Sequence, residues 1–76
     1  MGEKRTFYDY YLEMIYQGTK RETMERLMKE NDIATSYFVI NKYWDNSESV
    51  IKMASKNADE IFNIDNGRIY IFKYTK

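Results

Sequence analysis

With no cysteine and no histidine, this 76-residue chain has carboxylates, hydroxyls and phenols among the side chains able to do chemistry. Histidine is the usual general base near neutral pH and the commonest metal ligand, and both roles are left unfilled. A serine or threonine nucleophile would need such a base beside it. Without cysteine there is no disulfide and no thiol chemistry. A zinc site would have to be built from carboxylates alone, against that ion's preference for nitrogen and sulfur. Asp9 and Glu13 have the spacing that puts two carboxylates on one helix face. On a polar face both stay solvated, keep ordinary acidity and cannot act as a tuned acid and base. Asp65-Asn66-Gly67 matches part of a calcium loop, but Phe62 and Ile64 stand where oxygen ligands belong. The three glycines are isolated, so no loop cradles a phosphate. The expectation is a protein that is not an enzyme and carries no metal or cofactor.

Recognition is the remaining class of function. Thirteen residues are aromatic, eight of them tyrosine. Tyrosine and tryptophan suit protein interfaces, with a rigid apolar body and a polar tip. Tyr10, Tyr16, Tyr37, Phe38, Tyr70 and Tyr74 fall outside the core arcs assigned below, and they form the candidate partner-binding set. Twelve basic residues balance twelve acidic ones, whereas a nucleic-acid binder usually carries a basic excess. No apolar run reaches the roughly 20 residues that span a bilayer, and the N-terminus lacks a signal-peptide core. A soluble, cytoplasmic protein is expected.

These side chains must be placed by the elements of one small domain, residues 1–76. A chain this short buries only about 60–65 % of its unfolded surface. From Thr6 to Gln17 the apolar residues Phe7, Tyr8, Tyr11, Leu12, Met14 and Ile15 fall on one helical arc. Gly18 suits the left-handed residue that ends a helix. Thr19 to Glu22 has the spacing of a capping box. It opens a second helix with Met24, Leu27 and Met28 as its stripe. A third helix is expected over 35–45, with Thr35 or Ser36 as cap and Val39, Ile40, Tyr43 and Trp44 inward. The helical part thus runs from 6 to 45. Ser47 then opens a short helix or connector over 47–58, with Val50, Ile51, Ala54 and Ala58 inward.

Residues 60–74 are expected to form a hairpin. Asn66-Gly67 supplies the two positive-φ residues of a type I′ turn. That turn sets Ile64 against Ile69, Phe62 against Ile71 and Glu60 against Lys73. The aliphatic face, with Phe62, Ile64, Ile69 and Ile71, is expected to face the core.

Three or four short helices followed by a C-terminal hairpin make an α+β domain. By the order of its elements it resembles a winged helix-turn-helix DNA-binding domain. The resemblance implies that the segment 35–45 enters a major groove and that 60–74 is the wing. Thr35, Ser36, Tyr37, Asn41 and Lys42 would then meet bases, and Lys20, Arg21 and Arg68 would meet phosphates. The implied function is a small transcriptional regulator of phage or plasmid type. It would bind double-stranded DNA as a homodimer and act by occupying an operator. The alternative is a small phage-type inhibitor or anti-defence protein that binds a host protein through its aromatic surface. A continuous positive face joining Lys20, Arg21, Lys42 and Arg68 would favour DNA, and an apolar face would favour a protein partner.

Overall fold

The computed structural model describes residues 6–76. Six elements follow in chain order: α1 (Phe7–Tyr16), α2 (Arg21–Glu30), β1 (Thr35–Asn41), α3 (Ser47–Asn57), β2 (Glu60–Ile64) and β3 (Ile69–Thr75). The strands form one antiparallel sheet in the order β1-β3-β2. The helices pack on one face of it, making a two-layer α+β domain.

Local chemistry sets each helix end. Thr6 caps α1: its hydroxyl accepts the Asp9 N–H at 3.1 Å, and the Asp9 carboxylate accepts the Thr6 N–H at 2.8 Å. Asp9 thus starts a helix. Gly18 follows α1 with φ +115°, a conformation that disfavours any side chain. Thr19 does not cap α2. It is buried, and its hydroxyl donates to the Met14 carbonyl at 2.6 Å. The N-cap falls instead on Lys20, without a side-chain hydrogen bond. Met24, Leu27 and Met28 are buried along α2, as their spacing predicts. In α3, Val50 and Ala54 are buried, and the helix ends at Asn57.

The segment expected as a third helix is β1. Phe38 and Ile40 point inward and are buried, while Tyr37 and Val39 point outward and are exposed. That is a period of two. The helical arc of Val39, Ile40, Tyr43 and Trp44 does not exist. Two forces decide the outcome. A run of β-branched and aromatic residues fits a pleated surface. A hairpin alone is marginal in water and gains independence from a third strand. β1 supplies that strand, pairing along β3 from Thr35 against Thr75 to Asn41 against Ile69.

The hairpin has the expected register, with Ile64 opposite Ile69, Phe62 opposite Ile71 and Glu60 opposite Lys73. Asn66 and Gly67 have φ +56° and +80°, and Arg68 N–H donates to the Asp65 carbonyl at 3.1 Å. Asp65 is left-handed as well, at φ +54°, and Gly67 N–H donates to the Ile64 carbonyl at 3.1 Å, so a four-residue loop with three positive-φ residues stands where a two-residue type I′ turn is expected. The hairpin's orientation, however, is the reverse of the expected one. Phe72 and Tyr74 face the helices, are fully buried, and pack with Tyr10, Met14, Met28, Ile40 and Ala54. Phe62 and Ile64 are exposed and Ile69 and Ile71 are half-buried, all four on the other face. Both faces of β3 are apolar, so alternation does not choose between them. The aromatic face buries more area per residue, at roughly 150–250 Å² for each ring, and that decides which side meets the helices.

A candidate protein-docking surface

Register fixes which side chains share the outer sheet face, because residues directly opposite in a ladder point the same way. Three rows result. Tyr37, Lys73 and Glu60 form the first; Val39, Ile71 and Phe62 the second; Asn41, Ile69 and Ile64 the third. Tyr37 is 57 % exposed, Val39 42 %, Phe62 45 % and Ile64 50 %. With Ile69 and Ile71 between them, these residues form a contiguous apolar patch. From the fractional exposures it covers on the order of 500 Å², within the range where a monomer's largest patch is often functional.

Among the described residues, the charges on this face are Lys73 and Glu60, and they compensate each other. Lys73 Nζ lies 3.0 Å from Glu60 Oε2, and that hydrogen bond holds the lysine above its ordinary pKa. The face is therefore neutral as well as apolar. It suits a partner surface that is itself apolar and uncharged.

A second apolar feature adjoins the outer edge of β1. A cleft of about 330 Å³ lies between α1, α2 and β1, lined by Phe7, Tyr8, Tyr11, Met24, Leu27, Ser36, Tyr37 and Phe38. Tyr8 stacks on Tyr11 at 6.4 Å, and Tyr11 leans on Phe38 at 5.5 Å. Burial raises the Tyr11 pKa. Phe7 and Tyr8 remain exposed at its rim.

The aromatic set expected to meet a partner divides sharply. Tyr16 and Tyr37 are exposed. Tyr16 meets Trp44 edge-on at 6.2 Å, where the loop after β1 folds against α1. Tyr10, Phe38 and Tyr74 are buried in the core, and Tyr70 is half-buried under the sheet. The Tyr10 hydroxyl donates to the Glu30 carboxylate. The Tyr74 hydroxyl donates to Asn57 Oδ1 at 2.5 Å, and burial pushes its pKa up to about 12. Sequence periodicity missed Val39, Phe62, Ile64, Ile69 and Ile71 as surface residues. The signal was present: β3 is apolar on both faces, and a three-helix layer covers only one.

The residues expected to meet DNA are scattered. Thr35, Ser36, Tyr37 and Asn41 lie along a strand, so no helix presents them to a groove. Lys42 and Arg68 are adjacent, joined by a backbone hydrogen bond of 2.9 Å, and Lys42 Nζ sits 5.5 Å from the centre of the Tyr70 ring. Arg21 is at the opposite end of β3. Its guanidinium donates to the Asn57 carbonyl at 2.8 Å, to Asp59 at 3.0 Å and to the Thr75 carbonyl at 2.9 Å, and it pairs with Glu25 at 3.2 Å. It fastens α2 to the ends of α3 and β3. Lys20 precedes it at the start of α2. The two pairs of cations are separated by the length of β3, roughly 20 Å at about 3.3 Å per residue. The sheet between them is apolar.

Among the described residues no helix is long and apolar enough to cross a membrane, and no group of acidic residues is placed to hold a metal ion. Comparison with family models, curated proteins and solved structures found no match.

Proposed function

We propose that this chain is a protein-binding module. In this reading it acts by covering a surface of another protein, as a small inhibitor or adaptor does. The observation that carries the reading is the neutral apolar patch of Tyr37, Val39, Phe62, Ile64, Ile69 and Ile71 on the uncovered face of the sheet. A sheet face of this size offers a partner burial without requiring any of the core to move. No observation of comparable weight favours an operator-binding regulator, since the segment assigned to the groove is a strand and the cations lie at opposite ends of β3.

Capture of a partner from the native host by immobilised protein is the appropriate test. Phe62→Asp should abolish capture, and Lys29→Ala, on the far side of α2, should leave it intact. Equal capture by Phe62→Asp and the parent would rule out the sheet face. A parallel gel shift on duplex DNA at low salt is expected to show no complex at micromolar protein. A shift lost in Lys42→Ala and Arg68→Ala would restore the regulator.

A further inference from the structure

We propose that β1 is a dimerisation edge. Two copies join their β1 strands antiparallel and make one six-stranded sheet, in the order β2-β3-β1-β1-β3-β2. This rests on the edge and the cleft, and it shares only Tyr37 and Val39 with the outer-face patch.

Among the described residues, the backbone groups that would join take no part in a hydrogen bond. Lys76 N–H donates to the Ala34 carbonyl and Lys42 N–H to the Arg68 carbonyl. In an antiparallel ladder the bonding residues alternate. Ser36, Phe38 and Ile40 therefore bond to β3, and the N–H and C=O groups of Thr35, Tyr37 and Val39 point outward. Natural edges are guarded by lysine, proline, bulges or inward charges. β1 reads Thr-Ser-Tyr-Phe-Val-Ile-Asn and has none of these. β2 is the weaker candidate edge, since it is shorter and carries Glu60 bound to Lys73.

β1 is also complementary to itself. A two-fold axis through Phe38 pairs all seven residues. It places Tyr37 of one copy opposite Val39 of the other, an aromatic and β-branched pair of the kind that stabilises sheets. It places Thr35 opposite Asn41, and Phe38 opposite Phe38. The outward groups of Tyr37 and Val39 fall on the hydrogen-bonded positions of that register. Because the axis is perpendicular to the sheet, the two helix layers lie on the same side. The clefts then meet, and Phe7 and Tyr8 of each α1, 60 % and 64 % exposed, face their counterparts. With Tyr37, Val39 and the strand backbone they offer about 600 Å² per copy. That totals about 1,200 Å², the lower end of specific interfaces. The rest of the outer-face patch, Phe62, Ile64, Ile69 and Ile71, stays open in each copy.

Sedimentation velocity over a concentration series tests this, with amide exchange as a second reading. The full chain should pass reversibly from 9.3 kDa to twice that mass in the micromolar range. Val39→Pro removes an N–H that β3 does not use, and it should weaken the dimer at least tenfold with the far-ultraviolet dichroism unchanged. Should that variant misfold, Tyr8→Glu on the exposed rim of α1 should weaken the dimer likewise. The Tyr37 and Val39 amides should exchange slowly at high concentration and quickly on dilution. Phe62→Asp, on the outer face, should dimerise normally even where it fails to capture a partner. Three outcomes overturn the proposal: a monomer up to millimolar concentration, a dimer indifferent to both edge variants, or a dimer lost in Phe62→Asp.

Discussion

Tyr74 shows what single side chains contribute here. Its ring is fully buried on β3, and its hydroxyl closes onto Asn57, whose side-chain amide donates to the Thr19 carbonyl at 3.0 Å. Removing that hydroxyl leaves a partly buried acceptor short of a partner. Tyr74→Phe should therefore lower stability by about 1–2 kcal/mol, read as a lower urea midpoint at unchanged slope. The pH dependence has a definite sign. A folded pKa near 12 exceeds the ordinary value of 10. The neutral phenol is thus favoured by folding, and its contribution is full below pH 10 and lost as pH rises toward 12. In an absorbance titration of the native protein Tyr74 should ionise late, as Tyr11 does, and Tyr74→Phe should remove its share of the late step. Asp59 behaves oppositely. The Thr75 N–H at 2.6 Å, and then Arg21, hold its carboxyl below the usual range. Its contribution is present above the ordinary carboxylate pKa and lost as pH falls through the depressed one. Asp59→Asn should flatten the acid limb of the stability profile and leave the alkaline limb alone.

Among the elements, β1 and β3 carry the sharpest contrast between two faces. Phe38 faces the helices and is 2 % exposed. Phe38→Ala should cost about 3–5 kcal/mol, a large part of the 5–15 kcal/mol total of a small domain. Phe62→Ser, across the sheet, should change stability by no more than about 0.5 kcal/mol. Chemical denaturation of the two variants checks both values, and equal losses would mean that the outer face is covered. The helices and the hairpin register were legible in the sequence because each rests on near-neighbour chemistry: a 3.6-residue stripe in α2, and Asn-Gly in the turn. β1 was not legible, because its partner lies about thirty residues onward and its outer face is apolar too. Its Tyr37 and Val39 erase the polar half of the alternation that marks a strand. The same cause inverted the faces of the hairpin. Ile69 and Ile71 are more hydrophobic than Tyr70 and Tyr74 by composition, but the larger rings fill the space under the helices. Of the candidate site, only Tyr16 and Tyr37 were correctly read as surface aromatics.

For the molecule as a whole, polarity is divided by side. The helical side carries ion pairs and capping groups: Glu13 with Arg26 and Thr23, Arg21 with Glu25 and Asp59. Among the described residues, the sheet side carries one compensated pair and an apolar surface. Net charge is zero, so little electrostatic repulsion keeps copies apart. The protein should accordingly bind a hydrophobic dye in its native state, and Phe62→Asp should reduce the fluorescence markedly at unchanged helix content. Salt should have little effect on partner capture, because no rim of like charge steers the encounter.

The position of β3 in the sheet has a consequence for biosynthesis. It is the middle member, yet it comes after both of its neighbours in the chain. A ribosome that has delivered residues up to Gly67 has released β1 and β2 with nothing to zip between them. Neither can pair with β3 until Ile69–Thr75 emerges, so the sheet side assembles after the three helices have been made. During that interval the nascent chain displays two sticky, unmatched strands, and it is then that a holding chaperone would matter most.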